Sequence, residues 1–186
     1  LLDGVRRWGN GRMIPLGDLR EPMASARRAA ALVVTRGGRA PREEILAWWE
    51  RHGSGGPVFW VDFAITALRA FPSGERVPAP GPGPLFAFCG LGHPEAFLAD
   101  LLVGGFYWCG SARFPDHHAI SPQELASLER QARASGACAL VCTEKDAVKW
   151  RPEDVASLAL PIWIAEQQTL GTEPLVDYLL QRLEAL

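Results

Sequence analysis

Short apolar runs alternate with longer stretches of helical periodicity along most of the chain. "AALVVT" at 30–35 is a compact β-branched run, which predicts a buried strand. "PREEILAWWERH" at 41–52 has an early Pro, acids in its first turn and a basic end, which predicts a helix. "PVFWVDFAITALRA" at 57–70 alternates apolar with other residues and runs into the turn signal "FPSGER". It reads as one arm of a β-hairpin that returns through Glu75 to Val77. "PAPGPGP" at 78–84 is a semi-rigid linker with neither helix nor strand.

Beyond the linker the rhythm becomes regular. Strands are expected at "LFAFCG" (85–90), "FYWCG" (106–110), "ACALVCT" (137–143) and "LPIWIA" (160–165). Helices are expected between and after them, in "LGHPEAFLADLLVGG", "SPQELASLERQARASG", "TEKDAVKW" and "TEPLVDYLLQRLEAL". The second of these starts with Ser121 as N-cap, Pro122 at the first position and Glu124 at the third, and stops at Gly136. Thr143 is the expected cap of the third. Alternating strands and helices predict an α/β fold, a mostly parallel sheet with helices on both faces. The domain division expected is 1–56, a hairpin and linker over 57–84, and a C-terminal α/β domain over 85–186. Residues 1 to 30 read as a long polar loop with a short helical piece near "ASARRA".

Composition narrows the classes. The chain has 186 residues, 48 % hydrophobic and 22 % charged, which suits a globular protein with a sizeable core. A net charge of −2 makes no electrostatic case for nucleic acid as a partner. No apolar run reaches the roughly 18 residues of a membrane span. Cys89, Cys109, Cys138 and Cys142 show no C-x-x-C spacing, so a zinc site is not expected. Cys138 and Cys142 read as small buried strand residues, in keeping with a reducing compartment. Among 19 basic residues only Lys145 and Lys149 are lysine. The opening "LLDGVRRWGNGR" reads as the end of a strand, so the chain is expected to be a fragment lacking an N-terminal part.

Four segments carry candidate chemistry. In "GNGRMIPLGDLREP" (9–22), Arg20 could grip phosphate and Glu21 could hold Mg²⁺, or the two could form a surface salt bridge. "FCGLGHPEAF" could present backbone N–H groups to an anion or be a plain strand-to-helix turn. In "CTEKDAVK", Lys145 opposes the helix dipole and so calls for a partner: Glu144, Asp146 or a phosphate. "RFPDHHAIS" (113–121) admits three readings. Asp116, His117 and His118 could bind metal, although neighbours in an extended chain point apart. An acid beside an imidazole could serve as a general base. The segment could also be a loop with no chemistry. A run of Asp-His-His also names a family of metal-dependent phosphoesterases, but those need further Asp-containing motifs absent here.

Taken in order, "GNGRMIPLGDLREP", "FCGLGHPEAF", "FPDHHAIS" and "CTEKDAVK", with the hairpin ending in "SGER", resemble the tetraacyldisaccharide 4′-kinases, the lipid A kinases of Gram-negative bacteria. The resemblance runs from residue 1 to about residue 150. It implies a P-loop NTPase-like fold, of which 1–56 would be the remainder of the nucleotide-binding core. The implied activity is transfer of the γ-phosphate of ATP, with Mg²⁺, to the 4′-hydroxyl of a disaccharide lipid A precursor. The implied location is peripheral, at the cytoplasmic face of the inner membrane. Arg20 would contact the nucleotide phosphates and Glu21 would help place Mg²⁺. His117, supported by Asp116, would activate the sugar hydroxyl. The family's G-x-x-x-x-G-K-[ST] loop and D-D-G-F-Q-H segment are absent, so the chain by itself is expected to be inactive. Asp18 and the Pro-rich linker depart mildly from the family pattern. A non-catalytic ligand-binding α/β domain and a metal-dependent phosphoesterase are the alternatives.

Overall fold

A computed structural model describes residues 1–79, 81–116 and 118–184. His117, to which the sequence assigns a catalytic role, therefore lies outside the described residues, as do Pro80 of the linker and the last two residues. The described residues form two compact units, one of 1–63 with 169–184 and one within 64–168.

In the first unit, β1 (Leu2–Asp3), β2 (Leu32–Thr35) and the start of β3 (Val58–Phe71) pair in parallel. The expected strand end at the start of the chain is thus a real strand. The helix read from "PREEILAWWERH" is α1 (Arg42–His52), with Glu43 and Glu44 in its first turn. It buries Ile45 and Trp49 against Leu32 and Val34. Trp49 anchors its indole by donating from Nε1 to the Gly56 carbonyl at 2.7 Å. Trp48 stacks on Trp8, ring centroids 5.3 Å apart. Residues Met23–Arg28 form a 3₁₀ helix, matching the short helical piece expected there.

The second unit holds the regular α/β half. β5 (Leu85–Cys89) lies between β6 (Trp108–Arg113) and β7 (Ala139–Thr143), and β7 pairs with β8 (Ile162–Leu170), all in parallel. Alternate residues of these strands face opposite ways, and the core divides accordingly. Phe86, Phe88, Leu140, Cys142, Ile162 and Ile164 pack with Leu125, Leu128 and Ala132 of α3 (Pro122–Ala134). Leu85, Ala87, Cys89, Ala139, Val141 and Trp163 pack with Phe97, Leu98 and Leu101 of α2 (Pro94–Val103). Helices therefore cover both faces, and the strands can be apolar throughout, as the sequence pattern predicts.

Some elements differ from expectation. β6 begins two residues late and continues to Arg113, because its pairing with β5 extends to Cys89↔Arg113. The helix expected at "TEKDAVKW" is a single turn, α4 (Glu144–Ala147), and a second turn, α5 (Pro152–Val155), follows Pro152. β8 outlasts its apolar run by five residues. β3 does pair antiparallel with β4 (Arg76–Pro78), as a hairpin. Its first half pairs with β2 instead, so the boundary between the units falls inside this strand, away from the Pro/Gly run. The amphipathic C-terminal helix is α6 (Glu173–Glu184), where Val176, Leu179, Leu180 and Leu183 remain exposed.

Candidate functional site

The carboxyl ends of β5, β6 and β7 meet at one edge of the second unit's sheet, the usual place for ligands in parallel α/β folds. Each strand contributes one of the sequence motifs. Gly90 follows β5, the segment 114–120 follows β6, and α4 follows β7.

Asp146 is the hub. It is 1 % exposed and accepts the Gly90 amide at 3.2 Å and the Thr143 hydroxyl at 2.7 Å. Thr143 in turn caps α4 by accepting from the Asp146 amide. A Cβ at Gly90 would stand 3.1 Å from Asp146 Oδ1 and 3.2 Å from the Pro115 carbonyl. A side chain at this position would require one of the two neighbours to give by a few tenths of an ångström. Below this turn, burial pushes the Cys89 thiol up to about 11, with the nearby Asp146 acting in the same direction.

The protein partner of Lys145 is neither of the two carboxylates expected, Glu144 and Asp146. Its ammonium donates to Asp116 Oδ1 at 2.5 Å, so the structural ion pair reaches across 29 residues to the Asp-His-His motif. His118 is also accounted for. Its ring stacks on Phe114, centroids 5.3 Å apart and planes 4° from parallel, and Nε2 lies 2.9 Å from Glu124 Oε1. Glu124 is the capping-box residue of α3, accepting from the Ser121 amide at 2.8 Å. Those bonds, the Ser121 amide first, hold its carboxyl below the usual value, so it is ionised and takes the Nε2–H of His118. His118 is thus a structural link between the loop and α3, a role the sequence does not reveal because residues 118 and 124 share no regular element.

Arg20 and Glu21 belong to the first unit and lie on its surface. Both carboxylate oxygens of Glu21 accept from Arg28 Nη2, at 2.7 and 2.6 Å, which lowers the Glu21 pKa. The salt bridge is therefore with Arg28, and Arg20 has no ion-pair partner among the described residues. An ionised carboxylate of this kind fits Mg²⁺ as one oxygen ligand, the usual number from protein being one or two beside phosphates and water. Among the described residues no group of three His, Cys, Asp or Glu is arranged to hold a metal ion. No helix among the described residues is long and apolar enough to cross a membrane.

Comparison with known proteins places these motifs. A family model described as "Tetraacyldisaccharide-1-P 4'-kinase" matches residues 1–184. The tetraacyldisaccharide 4′-kinase of Bradyrhizobium sp. is 36 % identical over 174 residues, covering 91 % of this chain and 46 % of its own length. That of Gluconacetobacter diazotrophicus is 31 % identical over 185 residues, covering 98 % of this chain and 52 % of its own. The crystal structure of the "apo" form of LpxK from Aquifex aeolicus in complex with ATP aligns with a TM-score of 0.57 and 25 % identity. The alignment covers 92 % of this chain and 48 % of that one. The chain thus spans about half the length of the relatives it matches.

Proposed function

The chain belongs to the tetraacyldisaccharide-1-P 4′-kinase family, and we propose that it supplies one half of a kinase that phosphorylates the 4′-hydroxyl of a tetraacyldisaccharide 1-phosphate. ATP is the donor, and the product is a lipid A precursor. The observation that carries the reading is the match along residues 1–184, with the motifs gathered at the carboxyl ends of β5, β6 and β7.

Phosphoryl transfer asks a protein for positioning and charge neutralisation more than for covalent chemistry. We assign Asp116 and His117 to the acceptor side, where His117 takes the proton of the attacking hydroxyl and Asp116 supports it. Arg20 and Glu21 act on the donor side, Arg20 toward the phosphates and Glu21 as an oxygen ligand for Mg²⁺. When bound, Mg²⁺ neutralises charge on the phosphates. The reading places the protein peripherally at the cytoplasmic face of a Gram-negative inner membrane, where such a lipid would be met. The glycine-rich phosphate loop of such kinases is absent from this sequence, so these residues by themselves are expected not to turn over ATP.

The test is transfer of ³²P from ATP to the disaccharide lipid by the full-length protein, with and without Mg²⁺. His117→Ala should lower kcat by roughly 10²–10⁴, the usual worth of a general base. An unchanged kcat removes His117 from the mechanism, and an inactive wild type removes the kinase reading.

A further inference from the structure

The two lysines of the chain converge on one loop. Lys145 Nζ donates to Asp116 Oδ1 at 2.5 Å, and Lys149 Nζ donates to the His118 carbonyl at 2.9 Å. One residue further on, Trp150 Nε1 donates to the Ile120 carbonyl at 3.0 Å. Three donors from 145–150 therefore meet three acceptors at 116, 118 and 120.

The donor segment is itself held firmly. Asp146 lies buried between its two lysines in sequence, bonded to Gly90 and Thr143, and Ala147 and Trp150 are buried in the core. Among its described residues the acceptor segment has no helix or strand of its own. Such a segment opens easily unless side chains tie it down. α4 is a single turn, in which Lys145 stands in the first and the last turn alike, so the helix dipole does not fix its placement. Its ion pair with Asp116 explains the placement, and the helix does not.

We propose that Lys145 and Lys149 are positioning residues, which clamp the loop bearing Asp116 against α4 and so set its place for phosphoryl transfer. This rests on the catalytic reading of that loop given above. Neither lysine is asked to touch substrate. A shift of about 1 Å in a reacting group can cost up to a hundredfold in rate, so loosening either tie should be visible in kcat.

The experiment uses the full-length protein with Lys145→Met, Lys149→Met, the double variant and Lys145→Arg. Each single Met variant should lower kcat about tenfold and leave KM for ATP within about twofold. The double variant should fall short of the product of the two, because both ties hold one loop. Lys145→Arg, which keeps the charge, should recover most of the rate. In parallel, amide hydrogen exchange should rise over 114–120 in the Met variants and stay unchanged over 122–134. Exchange that does not rise overturns the clamp, and so does a rise accompanied by wild-type kcat. Because exchange is read without substrate, an inactive wild type would end the kinase reading while the clamp was still decided.

Discussion

The amide of Gly90 donates to both side-chain oxygens of Asp146, 3.2 Å away and 56 residues later in sequence. This contact ties the turn after β5 to the turn after β7, and Asp146 is 1 % exposed. Asp146→Ala should therefore leave the buried Gly90 N–H and the Thr143 hydroxyl without their acceptor, at a cost of about 3 kcal/mol. Asp146→Asn, which keeps one acceptor, should cost about half as much. Urea unfolding monitored by tryptophan fluorescence measures both. A loss below about 1 kcal/mol for the Ala variant would mean that water or a neighbour replaces the carboxyl.

The capping box of α3 predicts a pH dependence with a definite sign. The folded pKa of Glu124 is lowered from 4.5. A depressed carboxyl contributes stability that is fully present above its unfolded value and is lost as pH falls through the folded one. The stability gap between wild type and Glu124→Gln should be constant above about pH 5.5 and shrink below about pH 4.5. A gap that widens on acidification contradicts the assignment. Thermal unfolding across pH 3 to 7 gives the comparison.

Thiol chemistry should separate the four cysteines. Burial raises Cys89 to about 11 and Cys142 well above its usual value. Cys109 and Cys138 are half-buried. Iodoacetamide at pH 8 should label Cys109 and Cys138 in the native protein and spare Cys89 and Cys142 until denaturant is added. Peptide mapping by mass spectrometry reads the order, and early loss of Cys89 would show that the turn above it opens.

Arg28 holds both oxygens of Glu21. If Glu21 serves Mg²⁺, this arginine competes for the same lone pairs. Arg28→Gln in the full-length kinase should then lower the Mg²⁺ concentration for half-maximal activity by about threefold, since an exposed pair is a weak competitor. Glu21→Gln should raise it. Curves that superimpose for all three proteins would take Glu21 out of the metal's environment.

Where structure is local, the sequence was a good guide. Ser121, Pro122 and Glu124 announce α3, and the structure has the full capping box, because the bonds lie within four residues. Thr143 caps α4 for the same reason. Apolar runs found β5, β7 and the start of β8, since strands covered on both faces need no polar side. Lengths were less readable. The end of β6 is decided by its neighbour β5, which is not written in the element's own residues, and α4 gives way to a turn at Val148–Lys149.

The sequence by itself determined the alternation of strands and helices, the helix caps and the ordered motifs that resemble the kinase family. The tertiary structure alone decided who pairs with whom. Lys145 found Asp116 and not Glu144, Glu21 found Arg28 and not Arg20, and His118 found Glu124. The Lys145 pairing follows from parallel register, which brings the carboxyl ends of β5, β6 and β7 to one edge and makes neighbours of groups far apart in the chain. The Glu21 and His118 pairs span irregular loops, whose course no period in the sequence describes.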